Sequence, residues 1–352
     1  MTLQAENLGT VIDPQPEQGA LETERLSEAV RGASALFVCD ASSAALEVLK
    51  SLAVGISLPE AVKIFSPAPR KIESAVPQLK SRVTTLPPPV TTDSSESAFA
   101  PELSARGMKV FIGTARPDPL FGLVDAKVEA CLNWIAHSHR EAARTRKEME
   151  PSPFEQTRPK EAIDGLADGI KEASFFDILP RGGRAKSVLE NAPFDAIKNG
   201  FLTIGLQPAK AMVIGTGGKG YDDNLSSAVR IAWNVLPGAR KSGSIVLMAE
   251  CSEGLGSTAL DMAATGRIPR EPTGKKGSYL EGLEDLYYLS KMREEYDVLL
   301  LSGLPEVYAK TKLGLATAKG SGEAVGRLLN KLGKTGKMNV VTRASECRIE
   351  ST

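Results

Sequence analysis

Short apolar runs of the length of a buried strand recur along this chain, and stretches of helical length separate them. In the first half, ALFV and AVKIF flank SSAALEVLKSLAVG, which ends at Gly55. In the second half, AMVIG, GSIVLMAE and YDVLLL alternate with further helical patterns. Strand, helix and parallel strand form the repeating unit of an α/β sheet. The pattern therefore predicts α/β architecture with parallel or mixed sheets.

The length of 352 residues and the 42% apolar content are typical of about two domains with substantial cores. We expect a loose N-terminal arm over 1–32, an N-terminal α/β domain over 33–203 and a C-terminal α/β domain over 204–352. Helices are expected over 124–136, 163–173 and 187–191, and MNVVTR is expected to be the last strand. The segment 66–106 is rich in Pro, Ser and Thr, which indicates a surface loop, a linker or a mobile lid.

The charge balance disfavours two classes of partner. Lys plus Arg number 43 and Asp plus Glu number 43, so the formal net charge is zero. A chain without a basic surplus is not expected to bind nucleic acid or an anionic membrane surface through a general basic face. No apolar run approaches the length of a membrane span, and no secretory leader is expected at the start of the chain.

Cysteine and histidine usage argues against zinc sites and disulfide frameworks. The four cysteines are about 90 to 120 residues apart, and no CxxC spacing occurs. The two histidines, His137 and His139, stand two positions apart and do not share a helical face. Their ordinary role is that of cations near the end of a helix. No metal ligand is therefore predicted, and a reducing cytoplasm is the expected compartment.

The strongest local motif is VIGTGGKGYDDNLSSAVR at 213–230, where a strand leads into a glycine loop and then a helix. Glycines let the backbone approach an anion, and a helix start offers free N–H groups. Lys219 adds positive charge. The string lacks Walker spacing with a GK[ST] end. We interpret it either as an ordinary βα turn or as a site for a carboxylate or phosphate. Asp222 and Asp223 are candidate helix caps.

A second glycine loop, AECSEGLGST at 249–258, also follows a strand. Ligands bind at the carboxyl ends of strands in open α/β sheets, so this loop belongs to the same candidate region. Cys251 is either a structural cysteine or a nucleophile. No suitable base lies near it in the sequence, which favours the structural role.

The third candidate region, 110–134, has charged residues around a strand end: Arg116, Asp118, Asp125 and Lys127. Lys127 lies on a helix whose other positions are mostly apolar. Its stem could cover a packed face while its charge reaches water. Alternatively, a desolvated amine beside a cofactor could act as a nucleophile or a base.

Two strand ends of the first half complete the set. Asp40 and Ser42 follow ALFV and are expected to cap the next helix, and Arg70 in FSPAPRK could face a cleft.

In order, these strings resemble the nickel-pincer lactate racemase family over most of the chain, from about Ser34 onward. In the second half, GGKGYDDNLSSAVR looks like the family's two-glycine turn, Asp, Asn-Leu pair and helix, and GSIVLMAECSEGLG looks like its strand and acidic glycine loop. In the first half, KVFIGTARPDPLFGLVDAKV looks like its strand, turn and cofactor lysine. The resemblance implies two α/β domains with a cleft between them and activity on a 2-hydroxy acid.

The resemblance also implies roles for individual residues. Lys127, near the place of the cofactor lysine, and Asp40 would hold the cofactor. Lys127, Asp118 and Arg230 would serve catalysis. The substrate-binding residues would be Arg70, Gly217, Gly218, Lys219, Asp223, Asn224 and Ser227.

The family's histidines are replaced in this sequence. Its Gly-Thr-His-Arg position reads Pro-Ala-Pro69-Arg70, and the histidine before the cofactor lysine is replaced around Pro117 or Asp118. The nickel-pincer nucleotide is therefore disfavoured as a cofactor. We expect an anion site for a small organic acid or a phosphorylated metabolite in the cleft, where Arg70 and Arg230 could clamp a carboxylate.

Three functions stay open at this point. The chain could be a divergent enzyme, of racemase or epimerase type, that works through Lys127, Asp118, Asp223 and Arg230. It could be a non-catalytic member that binds a ligand, a protein partner or a second copy of itself. It could also be a true nickel-pincer enzyme whose ligands have migrated to His137 or His139.

Overall fold

A computed structural model describes residues 8–16, 21, 23–55, 59–86, 99–135, 149–267, 280–333 and 336–351 of the chain. No helix in these ranges is both long enough and apolar enough to cross a membrane.

The elements alternate along the chain as the strand–helix pattern predicts. The strands are β1 (Leu8–Ile12), β2 (Ala35–Val38), β3 (Lys63–Phe65), β4 (Val83–Thr84), β5 (Lys109–Thr114), β6 (Arg116–Asp118), β7 (Gly122–Val124), β8 (Ala173–Arg181), β9 (Arg184–Glu190), β10 (Leu202–Leu206), β11 (Ala209–Gly215), β12 (Ala239–Met248), β13 (Asp297–Leu301), β14 (Ala316–Thr317), β15 (Met338–Val341) and β16 (Cys347–Ser351). The α-helices are α1 (Glu24–Arg31), α2 (Ser43–Gly55), α3 (Pro69–Ala75), α4 (Pro101–Ser104), α5 (Ala126–Trp134), α6 (Arg158–Ala167), α7 (Phe194–Asn199), α8 (Leu225–Trp233), α9 (Thr258–Ala264), α10 (Leu283–Glu295) and α11 (Ser321–Leu332).

The chain divides into two compact units. We call one the N-terminal unit; it comprises Gln15–Arg116 and Leu120–Phe201. The other, the C-terminal unit, comprises Met1–Pro14, Pro117–Pro119 and Leu202–Thr352. Two short segments from the first half of the chain thus belong to the C-terminal unit.

The N-terminal unit has a six-stranded sheet in the order β4-β3-β2-β5-β8-β9, parallel except for β9. Side chains alternate between its faces. Phe37, Phe111 and Phe175 stand in register on three neighbouring strands, with ring centroids 4.6 and 4.8 Å apart. Their neighbours Leu36 and Val110 point into the apolar core on the other face. Burial on both faces explains why these strands are continuous apolar runs.

The C-terminal unit has a parallel six-stranded sheet in the order β1-β15-β11-β12-β13-β14. The loops that follow β11, β12, β13 and β15 therefore leave the sheet at one edge, which we call the carboxyl edge. The segments that lead into these strands lie at the opposite, amino edge. Both glycine loops of the sequence belong to the carboxyl edge, where open α/β sheets bind ligands.

The start and the end of the chain differ from the sequence interpretation. Leu8–Ile12 lies within the expected loose arm, but it is the edge strand β1, paired with β15. This pairing joins residues more than 300 positions apart, and the short apolar stretch alone does not indicate it. The strand MNVVTR is followed by β16, which pairs with β10 in a separate two-stranded sheet.

Two further segments form other elements than those expected. Residues 187–191, expected to be helical, lie largely in β9, which pairs with β8 through a two-residue turn at Gly182 and Gly183, both with positive φ. Two glycines between strands are a recognised hairpin signal. In the Pro-rich segment 66–106, the described residues include α3, β4 and α4, while 87–98 lie outside the described residues.

Candidate functional site

Four loops meet at the carboxyl edge of the C-terminal sheet. They cover residues 216–224 after β11, 249–257 after β12, 302–306 after β13 and 342–346 after β15. Gly303 donates its N–H to the carbonyl of Glu250 (2.9 Å), and Ser345 donates its N–H to the carbonyl of Thr216 (3.0 Å). The loop after β13 is thus tied to the loop after β12, and the loop after β15 is tied to the loop after β11, which gives this edge a defined backbone.

The two glycine loops are held together by their backbones. Cys251 donates its N–H to the carbonyl of Asp222, and Glu253 donates its N–H to the carbonyl of Asp223, both at 2.7 Å. In addition, Gly256 approaches Asn224 so closely that a Cβ on this glycine would lie 2.2 Å from the Asn224 Oδ1. Gly256 also has a φ of +83°, which suits glycine. The second loop therefore acts as a brace for the first.

The start of α8 is not available to an anion. The N–H groups of Leu225 and Ser226 donate to the carbonyls of Gly254 and Leu255, at 3.1 and 3.0 Å. The N–H of Ser227 donates to the Asn224 side chain (2.9 Å), so Asn224 is the N-cap. The alternative that Asp222 or Asp223 caps this helix is wrong. The predicted helix-start anion site has its donors occupied by the protein itself.

The donors that stay open lie earlier in the first loop. The backbone N–H groups of Gly218 and Lys219 donate to no other described residue. A Cβ on Gly218 would meet no atom within 4 Å, so open space adjoins it. Gly217 is different, because its Cβ would lie 2.2 Å from the Ser345 Oγ. The loop is therefore closely supported at Gly217 and open at Gly218.

Three buried polar atoms around this loop have no hydrogen-bond partner among the described residues: the Thr216 Oγ1, the Asp222 Oδ1 and the Ser345 Oγ. Thr216 and Ser345 are almost completely buried. An unsatisfied buried polar atom is uncommon in a native protein and calls for a ligand, a water or a functional explanation. Sequence reasoning missed Thr216 and Ser345, since a lone Thr or Ser at a strand end carries no distinctive signal.

Carboxylates are prominent at this edge. Asp222 and Asp223 come from the first glycine loop, and Glu250 from the second. Burial raises the pKa of the Asp222 carboxyl, and the carboxylates of Asp223 and Glu250 raise it further. Lys219 is exposed. The edge thus combines a cation with a carboxyl group that holds its proton more tightly than usual.

The structure favours the structural role for Cys251. The residue is buried and has a φ of +52° in the tight second loop. Burial raises the pKa of its thiol to about 12, with additional contributions from Asp222 and Glu250. A thiol that keeps its proton at neutral pH is a poor nucleophile.

Arg230 and Asp118, both predicted catalytic residues, are brought together within the C-terminal unit. The Arg230 guanidinium donates from Nη1 to the Asp118 Oδ2 (3.1 Å), from Nη2 to the Glu284 Oε1 (2.9 Å) and from Nε to the Asp285 Oδ1 (2.5 Å). All three carboxylates are at least 95% buried. Glu284 and Asp285 lie in the first turn of α10, and sequence reasoning missed them because more than 50 residues separate them from Arg230.

This Arg230 cluster has one cation and three carboxylates. Burial lowers the pKa of Arg230, but Asp285, Asp118 and Glu284 together raise it well above its usual value. Burial raises the pKa of Asp285, and the Glu284 carboxylate raises it further, while Arg230 and the Ser226 hydroxyl lower it. Every nitrogen of the guanidinium faces a carboxylate of the protein. The predicted clamp on a substrate carboxylate would require one of these ion pairs to open.

Lys127, the predicted cofactor lysine, lies in the N-terminal unit on α5. Its Nζ pairs with the Asp168 Oδ1 (3.2 Å) and lies 5.8 Å from the centroid of the Phe175 ring. The side chain is 30% exposed. The structure thus matches the snorkelling alternative, in which the stem crosses apolar surface and the charge reaches solvent.

The buried lysine of this unit is Lys160, which sequence reasoning missed. Its Nζ contacts the Asp125 Oδ2 (2.9 Å) and the Asp164 Oδ1, and its side chain is 3% exposed. Asp125 also caps α5 by accepting the N–H of Val128 (2.9 Å). Burial raises the pKa of the neighbouring Asp177 carboxyl well above its usual value, and the Asp125 carboxylate raises it further. Pro159 and the charged residues around Lys160 indicate a solvated stretch in the sequence. The burial of Lys160 depends on its ion pair with Asp125, which is distant in the sequence.

Asp40 and Arg70 lie at strand ends of the same unit. Asp40 accepts the N–H of Thr114 (2.6 Å) and the N–H of Ser42 (2.8 Å), and Ser42 in turn caps α2 by accepting the N–H of Ala45. Asp40 therefore ties the ends of β2 and β5 together. Arg70 is exposed in the first turn of α3, directly after Pro69.

The described residues do not fit a nickel pincer on Lys127. Both histidines of the chain, His137 and His139, lie outside the described residues. Within the described ranges, no three His, Cys, Asp or Glu side chains form a group able to hold a metal ion. The Lys127 amine is already engaged with Asp168. Among the described residues, its partners do not include the imidazole that suits nickel.

The fold has counterparts among solved structures. The lactate racemase apoprotein from Thermoanaerobacterium thermosaccharolyticum matches with a TM-score of 0.71 and 13% identity over 99% of this chain and 97% of that chain. A crystal structure of a protein from Thermotoga maritima matches with a TM-score of 0.58 and 11% identity over 93% and 96%. No family model and no curated protein matches the sequence. At such identities the likeness establishes a lactate-racemase-like α/β fold and nothing finer.

Proposed function

We propose that this lactate-racemase-like protein binds a small 2-hydroxy acid at the first glycine loop of the C-terminal unit, and that it does so without a nickel pincer on Lys127. The observation that carries the proposal is the group of buried polar atoms around this loop, on Thr216, Asp222 and Ser345, that have no partner among the described residues. Thr216 and Asp222 belong to the same loop as the open N–H groups of Gly218 and Lys219, and Ser345 is hydrogen-bonded to this loop at Thr216.

A hydroxy acid suits this set better than a simple anion. The Lys219 ammonium and the open backbone N–H groups can receive a carboxylate, as backbone nests do for anions. The carboxylates of the surrounding loops would repel a ligand that is anionic throughout. Asp222, whose pKa burial raises, can hydrogen-bond to the ligand's hydroxyl group. Asp223, Asn224 and Ser227 serve as supports, because Asp223 and Asn224 bind backbone N–H groups of the loop and of α8.

The ion pairs of the predicted catalytic residues favour a binding protein over a racemase. Arg230 is surrounded by three carboxylates, and Lys127 is paired with Asp168. A residue whose charge is already compensated needs an additional opening step before it can act on a substrate. A second candidate function, an epimerase with new chemistry, would have to use Asp222 as its proton-transfer group. The cytoplasmic location, a phosphorylated ligand and a protein partner or homo-oligomer stay predictions.

Isothermal titration calorimetry with L-lactate, D-lactate and propionate tests the proposal. Propionate has the carboxylate and lacks the hydroxyl group, so it separates the two contacts. We expect both lactates to bind more tightly than propionate by about tenfold or more, since a hydrogen bond to a charged group contributes about 1.5–3 kcal/mol. Asp222→Asn should remove most of this preference, and Lys219→Ala should weaken all three acids.

Matched controls make the result specific. Asp261→Asn and Lys319→Ala change an exposed aspartate on α9 and an exposed lysine outside the loop, and both should leave the affinities unchanged. Equal binding of lactate and propionate would refute the hydroxy-acid assignment. Undiminished lactate binding by Asp222→Asn would move the site away from this loop.

A further inference from the structure

A second polar region lies at the amino edge of the C-terminal sheet. Two adjoining pockets of about 560 and 510 Å³ share Lys210, Arg240 and Leu332 in their walls. Lys241 and Lys331 add to the first pocket, and Lys337 adds to the second. Among the residues that the structure describes, five cations line these pockets, against one acidic residue, Asp297. In a chain with equal numbers of acidic and basic residues, this local surplus is large.

Two of the five cations have ordinary structural roles. Lys331 lies in the last turn of α11, where a cation suits the helix dipole, and it pairs with Asp297. Lys241 pairs with Glu295 at 3.5 Å. The other three, Lys210, Arg240 and Lys337, make no ion pair with a described carboxylate. All three line the second pocket, and none of its described lining residues is acidic.

The floor of the second pocket is held in place by Asn339, which is 3% exposed. Its Oδ1 accepts the N–H of Thr10 (3.1 Å). Its Nδ2 donates to the carbonyls of Gln207 (2.9 Å) and Gly238 (3.0 Å). One buried amide therefore joins β1, the segment before β11 and the segment before β12. A site with such a floor is organised before a ligand arrives, which lowers the cost of binding.

A bulge directs the cations of β12 toward the pockets. The register between β11 and β12 shifts after Ala209, and Ser242 adopts a φ of +62°. A Cβ on Gly243 would lie 2.7 Å from the carbonyl oxygens of both Lys210 and Arg240, so this position requires glycine. Bulges re-aim side chains and are frequent next to functional sites.

From these observations we infer a second binding site at the amino edge, formed by Lys210, Arg240 and Lys337, for a small molecule that carries a diphosphate group. One phosphate ester carries a charge of about −1.5 to −2 at neutral pH, which is too little to neutralise three positive charges. Two adjacent phosphoryl groups together carry enough negative charge to do so. Lysines bind phosphate as point charges, and arginine adds paired hydrogen bonds.

This site is distinct from the glycine loop. Lys210 begins β11 and Thr216 follows its end, and a strand rises about 20 Å over this distance. A ligand of either site therefore does not reach the other. The inference is also independent of the hydroxy-acid proposal, since neither Asp222 nor Lys219 takes part in it.

Calorimetry of the full chain with inorganic pyrophosphate in metal-free buffer tests the site. We expect pyrophosphate to bind at least tenfold more tightly than orthophosphate or citrate, and its affinity to fall as salt rises. Lys210→Gln combined with Lys337→Gln should weaken pyrophosphate binding at least tenfold. The matched control, Lys50→Gln combined with Lys80→Gln, removes two exposed lysines of the N-terminal unit and should change nothing.

Three outcomes would overturn the inference. Two of them are the absence of binding heat with pyrophosphate and wild-type affinity of the Lys210/Lys337 variant for it. Tighter binding of citrate than of pyrophosphate would reject the diphosphate assignment. Asp222→Asn separates the two sites: it should leave pyrophosphate binding intact, and loss of this binding would reject the location at the amino edge.

Discussion

Each unit of this protein has a cation among largely buried carboxylates, and the two clusters differ in how fully the positive charge is paired. In the C-terminal unit, Arg230 meets three buried carboxylates, one at each nitrogen. In the N-terminal unit, Lys160 meets Asp125, which is buried, and Asp164, whose side chain is 28% exposed. A guanidinium has five donors in a plane and can serve several carboxylates, whereas an ammonium is a point charge.

The difference shows how burial separates a structural ion pair from an accessible functional group. Arg230 has too many partners to be free for a ligand, and Lys160 is too deeply enclosed. Lys127, one helix away, is accessible but has a surface partner. Buried atoms of Thr216, Asp222 and Ser345, which have no partner among the described residues, lie elsewhere, around the first glycine loop. Substitutions of Arg230, Lys160 and Lys127, each made separately, test how much each ion pair contributes to stability.

Removal of the Arg230 charge should have the largest effect. Arg230→Met leaves Asp118, Glu284 and Asp285 buried without a cation, and breaking a buried pair in this way costs about 3–5 kcal/mol. Urea denaturation should show this loss in the free energy of unfolding, or the variant should fail to fold. Arg230→Lys, which keeps the charge, should recover part of it. Arg327→Met, which removes an exposed arginine, is the control and should stay within about 0.5 kcal/mol. Wild-type stability of Arg230→Met would show that the cluster is not a structural element.

Removal of the Lys160 charge should cost less, about 3 kcal/mol at neutral pH, because only two carboxylates lose their partner and one of them is partly exposed. Burial raises the pKa of Asp164, so this residue takes up a proton readily when Lys160 is absent. The deficit of Lys160→Met should therefore shrink as the pH falls. Lys50→Met, on the exposed face of α2, provides the baseline. A deficit that grows toward low pH would contradict the assignment.

A smaller effect is expected from Asp177, and its sign depends on pH. The pKa of Asp177 is raised in the folded state, so the folded chain keeps this proton at a pH where the unfolded chain has lost it. The free energy of unfolding therefore falls as the pH rises from the unfolded pKa to the folded pKa. Asp177→Asn removes this decline. In urea denaturation, its free energy of unfolding should therefore exceed that of the wild type by more at pH 8 than at pH 5. Equal gains at both pH values would argue against a buried, protonated carboxyl.

The smallest effect is expected at Lys127. Its pair with Asp168 is exposed, and such pairs contribute about 0–1 kcal/mol. Lys127→Met keeps the apolar stem over Phe175 and should unfold within about 1 kcal/mol of wild type in urea. Its lactate affinity in calorimetry should be unchanged, because the proposed ligand site lies in the other unit. A tenfold loss of lactate affinity would return Lys127 to the functional site.

The sequence was sufficient to predict the alternating α/β elements and the two glycine loops. The sequence was insufficient where pairing between distant segments decides whether a strand forms. The strand β1 exists because β15 accepts it, and β9 exists because the Gly182–Gly183 turn pairs it with β8. That two-glycine signal was present in the sequence and could have identified the hairpin.

The two glycine loops were predictable from the sequence, but the contacts of their residues were not. The glycine pattern located the loop, but the donors at the start of α8 are used by the carbonyls of the second loop, which no local pattern reveals. Arg230 was identified by resemblance, whereas its partners Glu284 and Asp285 come from a helix far along the chain. Lys160 was hidden in a charged stretch that reads as solvated. Burial and partners of charged groups depend on tertiary packing.

The central claim is that a lactate-racemase-like fold operates here without a nickel pincer on Lys127. Intact-mass spectrometry combined with metal analysis of the protein isolated from its native source tests it most directly. The account predicts an unmodified mass for the chain and no stoichiometric nickel. A covalent nucleotide adduct on Lys127 together with one nickel per chain would contradict it.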